Sequence, residues 1–411
     1  MNNAALLLVG LLVLSYLGSF LMSRRTVSGA GLPSGVEYAA LGFALGPQAL
    51  DVVGARDLTA FEPIVQAAIG WLAFAVGLDF GFVADKRVRP GSLVVGSFGA
   101  LLTGGCVAAA VWATMRLHPV ALSRTDQIVL AGGIGAACSE TTRYAVRWVA
   151  ERYRATGPLV DRLNELAHAD SLFPLIAVAV LFALAPTRAF SVPVPLRDWP
   201  ALTVGLGLLL GTAAALLLRT EVPIEDTWGV LFGVSLLAVG GAARLGLATL
   251  TTTFFMGLAI SLLSHHGPAL RAIMAPTERA VLLPALLLAG ARLDFRATPA
   301  LPWIAAAALS ARFVAKVVIG WGLAIPSRPA RRGGALVGLS LMSSGALAMC
   351  VGLAFALRFP GPVGDTILVV AVLSAVLGEI IGPLRLRRAL RAAGEIDDAA
   401  PAAAAAQRTP A

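Results

Sequence analysis

Long apolar runs separated by short turns bearing Pro, Gly or charge recur along most of this 411-residue chain. The runs do not alternate apolar with polar residues, so they read as helices rather than strands. Each is close to the roughly 20 residues that a helix needs to cross a bilayer. In lipid a backbone must satisfy its own hydrogen bonds, which restricts spans to helices or a closed barrel. Only 13% of the residues are charged and 58% are hydrophobic, against about 25% charged in a soluble domain. The expected fold class is therefore all-α: a polytopic membrane protein whose main partner is the lipid bilayer.

The formal net charge of +9 does not point to nucleic acid, because the basic residues lie in short loops where they set topology. Cys106, Cys138 and Cys350 all fall within apolar spans. They form neither a disulfide framework nor a metal-binding spacing, and they read as small buried hydrophobes. No glycine-rich phosphate loop stands between a strand and a helix. No nucleophile–base constellation or metal cluster emerges, so no enzyme activity, metal or cofactor is expected.

The runs give about thirteen spans. The first, MNNAALLLVGLLVLSYLGSFLM, lacks a basic leading segment, and Arg24 and Arg25 follow it. It reads as a span with its N-terminus outside rather than a cleaved signal. Arginine-rich loops alternate from there. Arg24 and Arg25, then Lys86, Arg87 and Arg89, then Arg152, Arg154 and Arg162 fall on one side, as do Arg271 and Arg279, then Arg328, Arg331 and Arg332. Arg385, Arg387, Arg388 and Arg391 close the series. Basic loops stay inside, so the C-terminus is expected in the cytoplasm and the chain in the inner membrane of the cell. Residues 1–390 read as one transmembrane domain, and 391–411 as a disordered Ala/Pro-rich tail.

Charge within the spans is rare and therefore informative. Lys316 interrupts the run ALPWIAAAALSARFVAKVVIGWGLAIP, in a chain whose only other lysine is Lys86. A lysine at membrane depth costs a few kcal/mol or more, so it needs a polar cavity or an acid. Lys316 lies mid-span, where snorkelling to the interface is hard. Span five, 127–149, carries Ser139, Glu140, Thr141 and Thr142 at its centre, and span twelve, 332–357, carries Ser343, Ser344 and Gly345. Interrupted helices expose carbonyls and helix ends that can coordinate ions. Small residues at helix contacts would account for the serines but not for Glu140. Span six, 163–186, holds Asp170, with Glu165 and His168 nearer the basic end. Asp170 reads either as a structural partner of Lys316 or Arg312, or as a carboxylate for a proton or cation. With span seven as a linker, two halves of six spans remain. The second is inverted relative to the first, and the interruptions fall at matching places, the pattern of a transport site.

Several segments carry a family resemblance. GLPSGVEYAALGFALGP runs from Pro33 to Gly46 and Pro47; IGWLAFAVGLDF carries Gly70, Phe74, Gly77, Leu78 and Asp79. ERAVLLPALLLAGARLDF is its counterpart in the second half, followed by ARFVAKVVIGW and GLSLMSSGALAMCVGLAFAL. In order and spacing these resemble the monovalent cation:proton antiporters of bacteria, over nearly the whole chain to about residue 390. The resemblance implies two crossed, broken helices, five and twelve, beside an acidic helix six. It also implies a homodimer, in which the site-bearing core moves against a dimerisation domain. On helix six the family carries two adjacent polar residues, where this chain has Ala169, Asp170 and Ser171. In one register Asp170 is the essential acid and Ala169 replaces its neighbour; in the other, Ser171 replaces the essential acid. Glu165, five residues upstream, favours the first. On helix five the family's Thr-Asp-Pro is replaced by Ser139, Glu140 and Thr141, and on helix twelve Ser344 and Ala346 replace charged residues.

The expected activity is exchange of a monovalent cation, sodium or potassium, for protons. Asp170, Glu140, Ser139 and Thr141 would bind the ions and Lys316 would compensate the charge. A cation channel or leak on the same scaffold, and a non-transporting membrane scaffold or sensor, are the alternatives.

Overall fold

The computed structural model describes Gly10, Val13 and residues 35–80, 82–83, 86–184, 195–218, 224–264, 267–324 and 335–396. The first expected span lies outside these residues, apart from Gly10 and Val13, and so does the tail from residue 397. Each of the twelve other expected spans coincides with a helix or with a pair of helices in line.

The helices, in chain order, are α1 (Val36–Leu45), α2 (Ala55–Ala60), α3 (Glu62–Asp79), α4 (Pro90–Leu117), α5 (Arg124–Ser139), α6 (Arg143–Arg152), α7 (Pro158–Ala169), α8 (Leu172–Leu184) and α9 (Trp199–Leu217). They continue as α10 (Ile224–Leu245), α11 (Thr249–Leu263), α12 (Gly267–Ala291), α13 (Leu301–Ala324), α14 (Ala335–Ser340), α15 (Ala346–Arg358) and α16 (Pro362–Ala393). A two-residue antiparallel hairpin, β1 (Phe82–Val83) with β2 (Lys86–Arg87), follows α3. The molecule is otherwise helical among the described residues.

Proline marks the first turn of α3, α4, α7, α9 and α16. There its missing N–H would have had no partner and its fixed φ suits the helix. Among the described residues six helical stretches are long and apolar enough to cross a membrane, with α7 and α8 counted as one; α1, α11, the Val281–Ala291 part of α12 and α15 are shorter apolar helices. At 28 residues α4 spans about 42 Å, more than the roughly 30 Å of hydrocarbon. The chain is thus a polytopic membrane protein. The boundary expected near residue 390 falls inside α16, which runs to Ala393.

The helices pack as two bundles. One contains α1, α3 and α9–α12, with α3 against α11 and α12, and α9 against α11. The other contains α4–α8 and α13–α16, with α4 against α5 and α13, and α15 against α16. Contacts between the bundles are sparser and run mainly through α8, α3 and α15. The main apolar core threads both, through residues such as Leu130, Ile134, Phe254, Leu287, Phe355 and Ile367. Every intramembrane polar residue singled out from the sequence lies in the second bundle.

Candidate functional site

Two helices in line are each broken mid-course, and the breaks cross. The first ends α5 at Ser139 and resumes as α6 at Arg143, leaving Glu140, Thr141 and Thr142 outside both helices, with Glu140 and Thr142 extended. The second ends α14 at Ser340 and resumes as α15 at Ala346. Backbone groups freed by one break bond to the other. Thr142 N–H donates to Ser343 O at 2.8 Å, and the Thr141 hydroxyl donates to Leu341 O at 3.0 Å. Gly345 N–H donates to Glu140 Oε2 at 2.7 Å. Gly345 is the N-cap of α15, so Glu140 sets a carboxylate at the positive end of that helix. A Cβ on Gly345 would lie 2.6 Å from Thr142; only glycine lets the two breaks touch.

The Lys316-bearing helix, α13, lies across both breaks. Gly338 lets its α14 backbone sit directly on the carbonyl of Lys316. Lys316 is 2% exposed. Its Nζ donates to Thr141 Oγ1 at 2.7 Å and to Ser139 O at 3.2 Å, and it lies 3.7 Å from Asp170 Oδ2. One turn earlier, Arg312 is fully buried. Its guanidinium donates to the carbonyl of Glu140 at 2.9 Å and to the hydroxyls of Ser344 and Ser374. These three partners belong to α5's end, the α14–α15 break and α16, so Arg312 ties the crossing together. It also places a cation by the carbonyls that end α5, where positive charge is favourable.

Asp170 sits where the sixth span pauses between α7 and α8, as the C-cap of α7. The carbonyls freed there are taken by hydroxyls: Ser97 donates to Ala169 O at 3.1 Å and Ser171 to His168 O at 2.8 Å. Asp170 is 4% exposed, and its Oδ1 has no hydrogen-bond partner among the described residues. Ala169 packs instead on Gly96 of α4. Glu165 is held away from the crossing by Ser92 and by Arg89, whose Nε lies 3.5 Å from it.

The structure therefore gathers Asp170, Glu140, Ser139, Thr141, Lys316, Ser343, Ser344 and Gly345 around one crossing. Ser139 contributes its carbonyl, since its hydroxyl bonds back to Ala136 O at 2.7 Å. Two buried cations, Arg312 and Lys316, stand against two buried acids, Glu140 and Asp170. A cavity of about 30 Å³ lies beside the crossing, lined by Glu140, Thr141, His168 and Ser171 among others. That is room for about two waters. Among the described residues no group of His, Cys, Asp and Glu could hold a metal ion.

Sequence reasoning ranked Arg312 only as an alternative partner for Asp170, although it stands four residues before Lys316 in the same apolar run. It passed over Glu379, a buried acid on α16, whose signal is an acid within VLGEIIGP. Ser374 carried no signal, because an isolated serine in a span is common.

The fold matches a structure of the sodium proton antiporter MjNhaP1 from Methanocaldococcus jannaschii at pH 8, with a TM-score of 0.70 and 15% sequence identity over 95% of this chain and 100% of that one. An electron-microscopy map of the same antiporter matches with a TM-score of 0.65 and 17% identity, over 95% and 99% of the two chains. No family model matches the sequence, and no curated protein sequence matches it. Along nearly its whole length, then, the chain has the fold of a sodium proton antiporter.

Proposed function

We propose that this chain is a secondary active transporter that exchanges a monovalent cation, sodium or potassium, for protons across the cytoplasmic membrane. The observation that carries the reading is the buried Asp170–Lys316 pair at the crossing of two broken helices. A structural pair would have both carboxylate oxygens satisfied, whereas Asp170 Oδ1 has no partner among the described residues. A buried acid left partly unsatisfied within a span is a place for an exchangeable ion.

In this mechanism a proton and a cation compete for Asp170. Carboxylate, hydroxyl and carbonyl oxygens suit a hard alkali cation. Asp170, the Thr141 hydroxyl, the Ser139 carbonyl and Glu140 supply them. The arriving cation displaces Lys316, which returns to Asp170 when the site empties. Arg312 stays fixed as the brace of the crossing. The second bundle carries the site and moves against the first, which exposes the site to each face in turn. The same reading takes the protein as a homodimer, with its N-terminus outside and residues 391–411 a cytoplasmic tail of an exchanger domain formed by 1–390.

The test is proton movement in everted vesicles on adding sodium, potassium or lithium in turn. Cation-driven dissipation of a proton gradient is the expected result. Current without counter-transport would replace exchange by a conductive pathway, and no cation-dependent movement would reject both.

A further inference from the structure

The crossing is joined to the other bundle by a charged contact that the exchange mechanism above does not use. Arg143 is the first residue of α6, directly after the Glu140–Thr142 break. Its guanidinium pairs with Asp79, the last residue of α3 in the opposite bundle. The other Asp79 oxygen lies 3.9 Å from Arg271 Nε, on α12 of that same bundle. Arg143 also approaches His168 Nδ1 at 3.4 Å, and His168 stacks on Phe80 with ring centroids 5.3 Å apart. The cluster stands at the face bearing the basic hairpin, where Arg271 covers the Phe82 ring at 4.8 Å.

The cavity beside the crossing lies between the same two walls. Leu72 and Val76 line it from α3; Glu140, Thr141 and Arg143 line it from the broken helix. Leu72, Val76 and Asp79 follow the helical spacing that keeps residues on one face. The α3 stripe that walls the cavity therefore ends at Asp79, where Arg143 meets it. Both partners are partly accessible, with 24% and 29% of their side-chain surface exposed. Such a pair can open at modest cost, unlike the fully buried Asp170–Lys316 pair. Among the described residues α6 packs mainly on α7 and α16, both in its own bundle.

We infer that Arg143 and Asp79 form a latch that closes the cavity on the basic-hairpin face. Arg143 is a positioning residue: it holds the broken helix against α3 and takes no part in binding the ion. Opening the pair frees α6 and the segment with Glu140 and Thr141 to move away from α3, which admits water and ions from that face. This deepens the exchange reading and rests on it for the identity of what enters.

The test reads accessibility, not transport. In a background with Cys106, Cys138 and Cys350 replaced by alanine, Ala167→Cys places one thiol on the cavity wall. A membrane-impermeant thiol reagent is applied to the Arg87 face, with monodispersity in detergent as the folding control. Asp79→Asn and Arg143→Gln should each speed labelling about five-fold or more, and the double change should add little to either. Arg143→Lys should label close to the parent. If Arg143→Gln does not fold, Asp79→Asn carries the same test. Unchanged labelling in the folded variants, or fully additive effects, would overturn the latch. A faster-labelling protein that shows no exchange would lose the exchange reading and keep the latch; normal exchange with unchanged labelling would do the reverse.

Discussion

At the residue scale the account rests on the contact between Lys316 and Asp170. Removing one partner of a buried pair leaves an uncompensated charge, at a cost of about 3–5 kcal/mol. Lys316→Ala should lower the unfolding midpoint accordingly, and adding Asp170→Asn should cost less than the sum of the single changes. A coupling of about 0.5–3 kcal/mol is expected for side chains in contact, read from thermal or denaturant unfolding in detergent. Strict additivity would detach the lysine from Asp170 and move attention to Thr141 and the Ser139 carbonyl. Much of this was legible beforehand: a lysine and two acids in apolar runs advertise themselves by their cost. Which acid faces which cation was not, because Asp170 and Lys316 are far apart in sequence and meet only through packing. Arg312 shows the same limit. Its type and depth were readable, but its partners come from three separate helices.

The two breaks set the element scale. Polar patches in otherwise apolar runs marked both in the sequence, and the helices stop where the patches are. The bonds across the crossing could not be read in advance, since Gly345 and Glu140 are 205 residues apart. The pause at Asp170 did carry a signal, Pro174 in LAHADSLFPL, which has no N–H for the Asp170 carbonyl four residues earlier and whose ring crowds that carbonyl. Two substitutions test the crossing. Gly345→Ala forces a methyl against Thr142, and overpacking of that kind costs about 1–3 kcal/mol, so the melting temperature should fall while the Lys316 contacts persist. Glu140→Gln keeps an oxygen for Gly345 N–H and should leave the fold intact. If Glu140 is a ligand, the variant should weaken apparent cation affinity more than maximal rate. An unchanged affinity would confine Glu140 to capping α15.

At the scale of the whole molecule, loop charge and the order of spans carried most of the architecture. Twelve expected spans have helical counterparts, and the two halves place their broken helices against each other. The division into two bundles was implied by family resemblance, not by periodicity, since both bundles are built from equally apolar helices. The arginine alternation puts Arg56 and Arg87 on opposite faces, at the two ends of α3. Single cysteines at those positions in the cysteine-free background should label from opposite sides; labelling from one side would refute the topology between them. The claim on which everything else depends is that a proton and a cation compete for Asp170. Proton release on cation addition reads this directly, with purified protein in weakly buffered detergent solution and no membrane gradient. The account predicts that sodium or potassium releases protons from the parent protein and none from a folded Asp170→Asn variant. Equal release from both proteins would contradict it.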